Sequence, residues 1–161
     1  MKVFRVGPEQ RIIIPTASLK ALRSYAQLEW SQPESGGVLL GRHLLDNDDV
    51  VVDEITSPQR GDRQSRTGFF RGPQHQAIAN QRWKSSGGTI AYLGSWHTHP
   101  ENDPMFSPTD RRDWEQAVRR DKFPGDRLFF VIIGMRRTRV WTMNRDFQLE
   151  QLKEERRGDK N

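Results

Sequence analysis

Two hydrophobic periods run through this chain, one of two residues and one of about 3.6, and together they predict a mixed α/β architecture. Arg11 to Ile14 reads as a short strand. From Thr16 to about Trp30, Leu19, Leu22, Tyr25 and Ala26 share a helical face, and Pro15 and Thr16 mark its start. Val38 to Leu45 and Val50 to Thr56 flank the turn Asp46-Asn47-Asp48-Asp49 and read as a hairpin. Further strands are expected at Ile90 to Trp96 and Leu128 to Gly134, with Thr138 to Met143 answering the latter across Met135-Arg136-Arg137. Phe147 to Leu152 adds an edge strand, and helices are expected at Pro73 to Ser85 and Pro108 to Arg120. The sum is an α/β sandwich, a mixed sheet with helices against it, whose strand order the pattern alone does not set.

With 161 residues, the chain has room for one sizeable core, so a single domain is expected over residues 1–152. The charged stretch 153–161 reads as a tail that frays and is dispensable for chemistry. No cysteine is present, which removes disulfides, thiolate metal ligands and a cysteine nucleophile together. The amino terminus lacks the apolar stretch of a secretory signal and no segment approaches a membrane span, so the expected setting is cytoplasmic, with no membrane partner. Basic residues number 26 against 21 acidic, a net +5. Acids are interspersed with Arg111-Arg112 and Arg119-Arg120, which favours solvated surface over nucleic-acid binding. Trp83, Trp96, Trp114 and Trp141 are expected in the core. His43 and His75 lack a motif partner and read as structural or exposed.

The residues that carry chemistry lie elsewhere. His97-Thr98-His99-Pro100 puts two imidazoles at strand spacing, so both project from one face while Thr98 points away; Pro100 biases His99 toward extended geometry. Past the irregular loop Glu101 to Phe106, Ser107 is a good N-cap, Pro108 suits the first helical position, and Asp110 falls in the first turn. Two imidazoles and one carboxylate can hold a catalytic zinc ion and leave its fourth position for water, making His97, His99 and Asp110 the candidate ligands. Glu34, just ahead of Gly36-Gly37-Val38-Leu39-Leu40-Gly41, is the candidate general base, and Ser107 the candidate oxyanion donor. Each has a plainer reading. Ser107 and Asp110 alone form a near capping box, and Glu34 alone is a solvated acid before a strand.

Glu34, His97-Thr98-His99, Ser107 and Asp110, in that order and spacing, resemble the JAMM (MPN+) metalloprotease motif, and the likeness extends from about residue 10 to 145. The resemblance implies a JAMM/MPN-like domain, one catalytic Zn²⁺ on His97, His99 and Asp110, Glu34 as general base and Ser107 at the oxyanion. Gly94-Ser95-Trp96-His97-Thr98-His99-Pro100-Glu101 running into Ser107 to Trp114 is similar to small bacterial members encoded in CBASS anti-phage operons. That implies a deubiquitinase-like isopeptidase that frees a cyclic-oligonucleotide synthase, or another target of a ubiquitin-like tail, from conjugates made by an operon-encoded ligation enzyme. Trp96 or Trp114 would then line the active-site rim. The irregular segment Ser57 to Gly72, with Phe69-Phe70, is a candidate clamp for the substrate tail. Two other classes stay open: a nucleic-acid-associated JAMM-like protein, and a non-catalytic binding scaffold.

Overall fold

The computed structural model describes residues 1–29, 31–65 and 68–156, with backbone alone at 64–65 and 68–70. The chain runs β1 (Lys2–Val6), β2 (Gln10–Ile14), α1 (Thr16–Arg23), β3 (Gly36–His43) and β4 (Val50–Ile55). A small hairpin follows, β5 (Arg63–Ser65) and β6 (Gly68–Phe70), then α2 (Gln74–Ser85), β7 (Ala91–Thr98) and α3 (Pro108–Arg120). It closes with β8 (Arg127–Ile133), β9 (Thr138–Asn144), β10 (Leu149–Gln151) and β11 (Lys153–Glu155). Nine strands form one mixed sheet in the order β10-β9-β8-β7-β3-β4-β2-β1-β11, with β2–β4 and β7–β8 parallel and the other pairs antiparallel.

β8 shows why the sheet sits where it does. Its run Leu128 to Ile133 is fully buried, and alternate residues face opposite cores. Phe129, Val131 and Ile133 join Leu22 and Ala26 beneath α1. Leu128, Phe130 and Ile132 join Ala79 of α2 and Trp114 and Val118 of α3 on the other face.

The carboxyl-terminal segment corrects one expectation. Residues 153–155 do not fray: β11 pairs with β1, and Lys2–Glu154 (2.7 Å), Arg5–Glu155 (3.4 Å) and Arg11–Glu155 (3.6 Å) ion pairs flank it. β10 and β11 are separated only by Leu152 yet lie at opposite edges of the sheet, so the sheet curls back until its edges nearly meet. Leu152 is buried at that seam, and its amide donates to the Val140 carbonyl at 2.8 Å.

Two further differences have local causes. α1 ends at Arg23 rather than near Trp30, because Ser24 donates its hydroxyl back to the Ala21 carbonyl (2.6 Å) and the amides of Tyr25 and Ala26 tighten to i−3 partners. Trp30 itself is outside the described residues. Trp83, expected in the core, is 47% exposed because it lies at the end of α2 over the turn at Gly88, whereas Trp96, Trp114 and Trp141 are buried. Among the described residues, no helix is long and apolar enough to cross a membrane.

Candidate active site

β7 carries His97 and Thr98 to its end and delivers His99 one residue beyond. Thr98 faces away from the two imidazoles, as the alternation requires. Its hydroxyl donates to Gln27 Oε1 (3.0 Å) and accepts from the Ser35 amide (2.9 Å), while the Ser35 carbonyl accepts from the Thr98 amide (2.9 Å). The histidine strand and the segment bearing Glu34 are therefore laced together. Gln27, buried in the turn after α1, was not visible as a site residue in sequence because nothing local marks it.

The loop after Pro100 is held from behind. The Glu101 carbonyl accepts from Met135 N (2.6 Å), the Asn102 carbonyl accepts from Arg137 N (2.9 Å), and the Arg23 guanidinium donates to the carbonyls of Gly134 (2.7 Å) and Met135 (2.8 Å). This support delivers Ser107 as the N-cap of α3. Asp110 N donates to Ser107 Oγ (3.0 Å) and Ser107 N donates to Asp110 Oδ2 (2.8 Å), a complete capping box. The capping box is present and does not exclude the ligand reading, because it fixes the carboxylate and turns it to the histidines.

Three side chains converge there. His97 Nε2 lies 3.1 Å from His99 Nε2 and 3.1 Å from Asp110 Oδ1, and His99 Nε2 lies 3.2 Å from Asp110 Oδ2. For metal–ligand bonds of roughly 2.0–2.1 Å the edge of a tetrahedron is roughly 3.3 Å, so these separations fit a single ion such as zinc. Among the described residues, these are the His, Asp and Glu side chains grouped closely enough to hold one. The opposite ring nitrogen of His99, Nδ1, meets Glu101 Oε1 at 3.0 Å. A proton kept on Nδ1 and donated to that carboxylate would free the Nε2 lone pair for a metal, which would displace the Nε2 proton that otherwise bridges His99 to Asp110. Sequence reasoning missed Glu101; an acid two residues beyond a candidate ligand histidine was its only signal.

Electrostatics set the charge states. Burial pushes the Glu34 carboxyl up to about 7; the charge on His99 works against this, while Asp110 and Glu101 add to it. Burial lowers the His99 imidazole, but hydrogen bonding and attraction to Asp110, with help from Glu101 and Glu34, prevail and push it up to about 9. Asp110 is also penalised by burial, yet bonds from His97, His99 and the Ser107 amide hold it well below the usual carboxylate range.

Glu34, Ser107 and the three candidate ligands share a cleft of about 920 Å³. Trp96 and Trp114 line it, and α3 forms a wall that ends near Arg71 and Asp121. Its floor at Gly37 admits no side chain: a Cβ there would run into the Thr56 carbonyl and hydroxyl and the Trp96 indole. His43 and His75 are not among the metal-spaced residues. His75 is buried in a polar cluster behind the cleft.

A family model of prokaryotic homologs of the JAB domain matches residues 15–146. A Pseudomonas aeruginosa relative named CD-NTase/cGAS isopeptidase is 41% identical over 121 residues, covering 73% of each chain. Relatives with the same name from Vibrio cholerae (36%, covering 82% of this chain and 81% of that one) and Escherichia coli (35%, covering 86% and 85%) match over longer spans. A Desulfitobacterium hafniense protein solved in solution superposes with a TM-score of 0.62 over 87% of this chain and 88% of its own, at 22% identity, a likeness of fold alone. By sequence along most of its length, this chain belongs to the family of prokaryotic homologs of the JAB domain.

Proposed function

We propose that the chain is a zinc-dependent isopeptidase that cuts the bond between the carboxyl terminus of a ubiquitin-like modifier, or a similar tail, and an amine of its target. The observation that carries this reading is the convergence of His97, His99 and Asp110 at 3.1–3.2 Å in a cleft that also holds the buried Glu34. Zinc bound there would lower the pKa of its water to about 7 and polarise the scissile carbonyl.

The chain's own groups divide the remaining work. Glu34, with a carboxyl pushed up to about 7, is poised to accept a proton from the attacking water and return it to the leaving amine. The new C–O bond would form first, placing the negative charge on the former carbonyl oxygen, and its collapse would break the C–N bond as Glu34 returns the proton to nitrogen, giving a free carboxylate and a free amine. Ser107 Oγ accepts from the Asp110 amide, so its own proton remains available to the developing oxyanion. The hairpin β5–β6 pairs only within itself among the described residues, which leaves strand edges to which an extended tail can add. This supports Ser57 to Gly72 as the substrate clamp; the Phe69 and Phe70 side chains lie outside the described residues.

The names of the curated relatives support a nucleotidyltransferase of the cyclic-oligonucleotide synthase class as the conjugated target, within bacterial anti-phage defence. An operon-encoded ligation enzyme would supply the conjugates. The test is incubation of a purified synthase conjugate with zinc-loaded protein and mass spectrometry of the products. Release of intact synthase with a free amine is expected. Persistence of that conjugate alongside cleavage of an unrelated one would redirect the target assignment, and cleavage of neither would overturn the reading.

A further inference from the structure

Behind the cleft lies a buried chain of polar groups that the proposed chemistry does not use. Thr56 Oγ1 meets His75 Nδ1 at 2.5 Å, and His75 Nε2 meets Asp62 at 2.8 Å (Oδ2) and 3.0 Å (Oδ1). The side chains of His75 and Asp62 are both 0% exposed and Thr56 is 3% exposed, so no substrate reaches them despite the triad-like composition. Burying a carboxylate and an imidazole is costly unless every partner is in place, and here the partners are specific.

Those partners lie at both ends of one excursion. Asp62 Oδ2 accepts from the Gln59 amide (2.7 Å) and Oδ1 from the Gly72 amide (2.6 Å), so one carboxylate ties the entry of the segment carrying β5 and β6 to its exit. The two strands of this neck nearly touch: a Cβ at Gly72 would lie 2.7 Å from the Gly61 carbonyl carbon, so glycine is needed for the approach. At the other end of the relay, Thr56 Oγ1 accepts from the Val38 amide (2.8 Å) and the Thr56 carbonyl accepts from the Trp96 indole (3.1 Å). Gly37 and Trp96 are cleft-lining residues beside those contacts, and Arg71, adjacent to the tied Gly72, also lines the cleft. Arg71 reaches Asp121 at the end of α3 at 3.4 Å.

We infer that Asp62, His75 and Thr56 are positioning residues: they fix the neck of the 57–72 excursion to the cleft floor and thereby set how tightly a protein conjugate is held. They touch no reacting atom. The kinetic part of this inference rests on the isopeptidase reading; the structural part does not.

The experiment uses Asp62→Asn in the full chain, read by amide hydrogen exchange and by kinetics. Asn retains one acceptor oxygen, so exchange should speed by roughly tenfold or more at whichever of the Gln59 and Gly72 amides faces the new NH2 group. KM for a protein conjugate should rise by a similar factor, while kcat and zinc content stay near wild type. If Asp62→Asn fails to fold, Thr56→Ser and Thr56→Val replace it: the hydroxyl-bearing variant should behave as wild type and the isosteric one should show the exchange and KM changes. Unchanged exchange at Gln59 and Gly72, or a loss carried by kcat rather than KM, overturns the inference. Should wild type cleave no conjugate, the isopeptidase reading fails, and exchange alone decides whether the relay holds the neck.

Discussion

Ser107→Ala removes one hydroxyl that has two jobs, and their magnitudes differ enough to be separated. As the N-cap of α3, Ser107 Oγ accepts from Asp110 N at 3.0 Å, and losing that acceptor should cost about 1 kcal/mol. For a chain of 161 residues that is a fall in Tm of roughly 2–4 °C. The reciprocal bond, Ser107 N to Asp110 Oδ2, is made by backbone and survives, so Asp110 stays aimed at the histidines and zinc content should not change. As the oxyanion donor, the same hydroxyl should be worth roughly 100 to 1,000-fold in kcat. Ser107→Gly sharpens the separation, since glycine caps nearly as well and should cost only a few tenths of a kcal/mol while losing the same kcat. The assay is steady-state cleavage of a conjugate beside thermal melting and metal analysis of the same preparations. A kcat within about threefold of wild type in both variants, against the loss expected for a missing oxyanion donor, would leave Ser107 as a cap and refute its catalytic role.

Other consequences are as direct. Because burial raises the Glu34 carboxyl to about 7 and a base must be ionised to accept a proton, kcat/KM should fall as pH drops through about 7; an acid limb near the ordinary carboxylate value would contradict the burial argument. Glu101→Gln should weaken zinc about 10 to 100-fold through the misoriented His99 ring, measured by competition with a chromophoric chelator; an unchanged affinity would remove Glu101 from the site. Leu152→Ala should cost about 3 kcal/mol at the sheet seam, or roughly 6–12 °C in Tm, and ending the chain before Lys153 should also destabilise it by stripping β11 from β1. A truncated chain as stable as the full one would refute the curled-sheet account.

What could be read in advance was local. β3, β4, β7, β8 and β9 and helices α2 and α3 follow from runs whose period, caps and turns sit within a few residues of each other, and α3 begins and ends where Pro108 and Arg120 predict. The grouping of His97, His99 and Asp110 was legible because strand alternation at the histidines and the cap at Ser107 are themselves local rules. What escaped depends on distant partners. β1 alternates buried Phe4 and Val6 with more exposed neighbours, but its place between β2 and β11 needs the chain's end. β11 is charged and looks solvated until Lys2, Arg5 and Arg11 are brought opposite it. Gln27, Asp62 and Thr56 are ordinary polar residues in sequence and acquire meaning only from partners far along the chain.

The most direct test of the central claim is zinc content and conjugate cleavage measured on the same preparations of wild type, Glu34→Ala and Asp110→Ala. Wild type should bind about one zinc per chain and turn over, Glu34→Ala should keep the metal and lose turnover, and Asp110→Ala should lose both. Full turnover by Glu34→Ala, or by a wild type stripped of metal, would contradict the account.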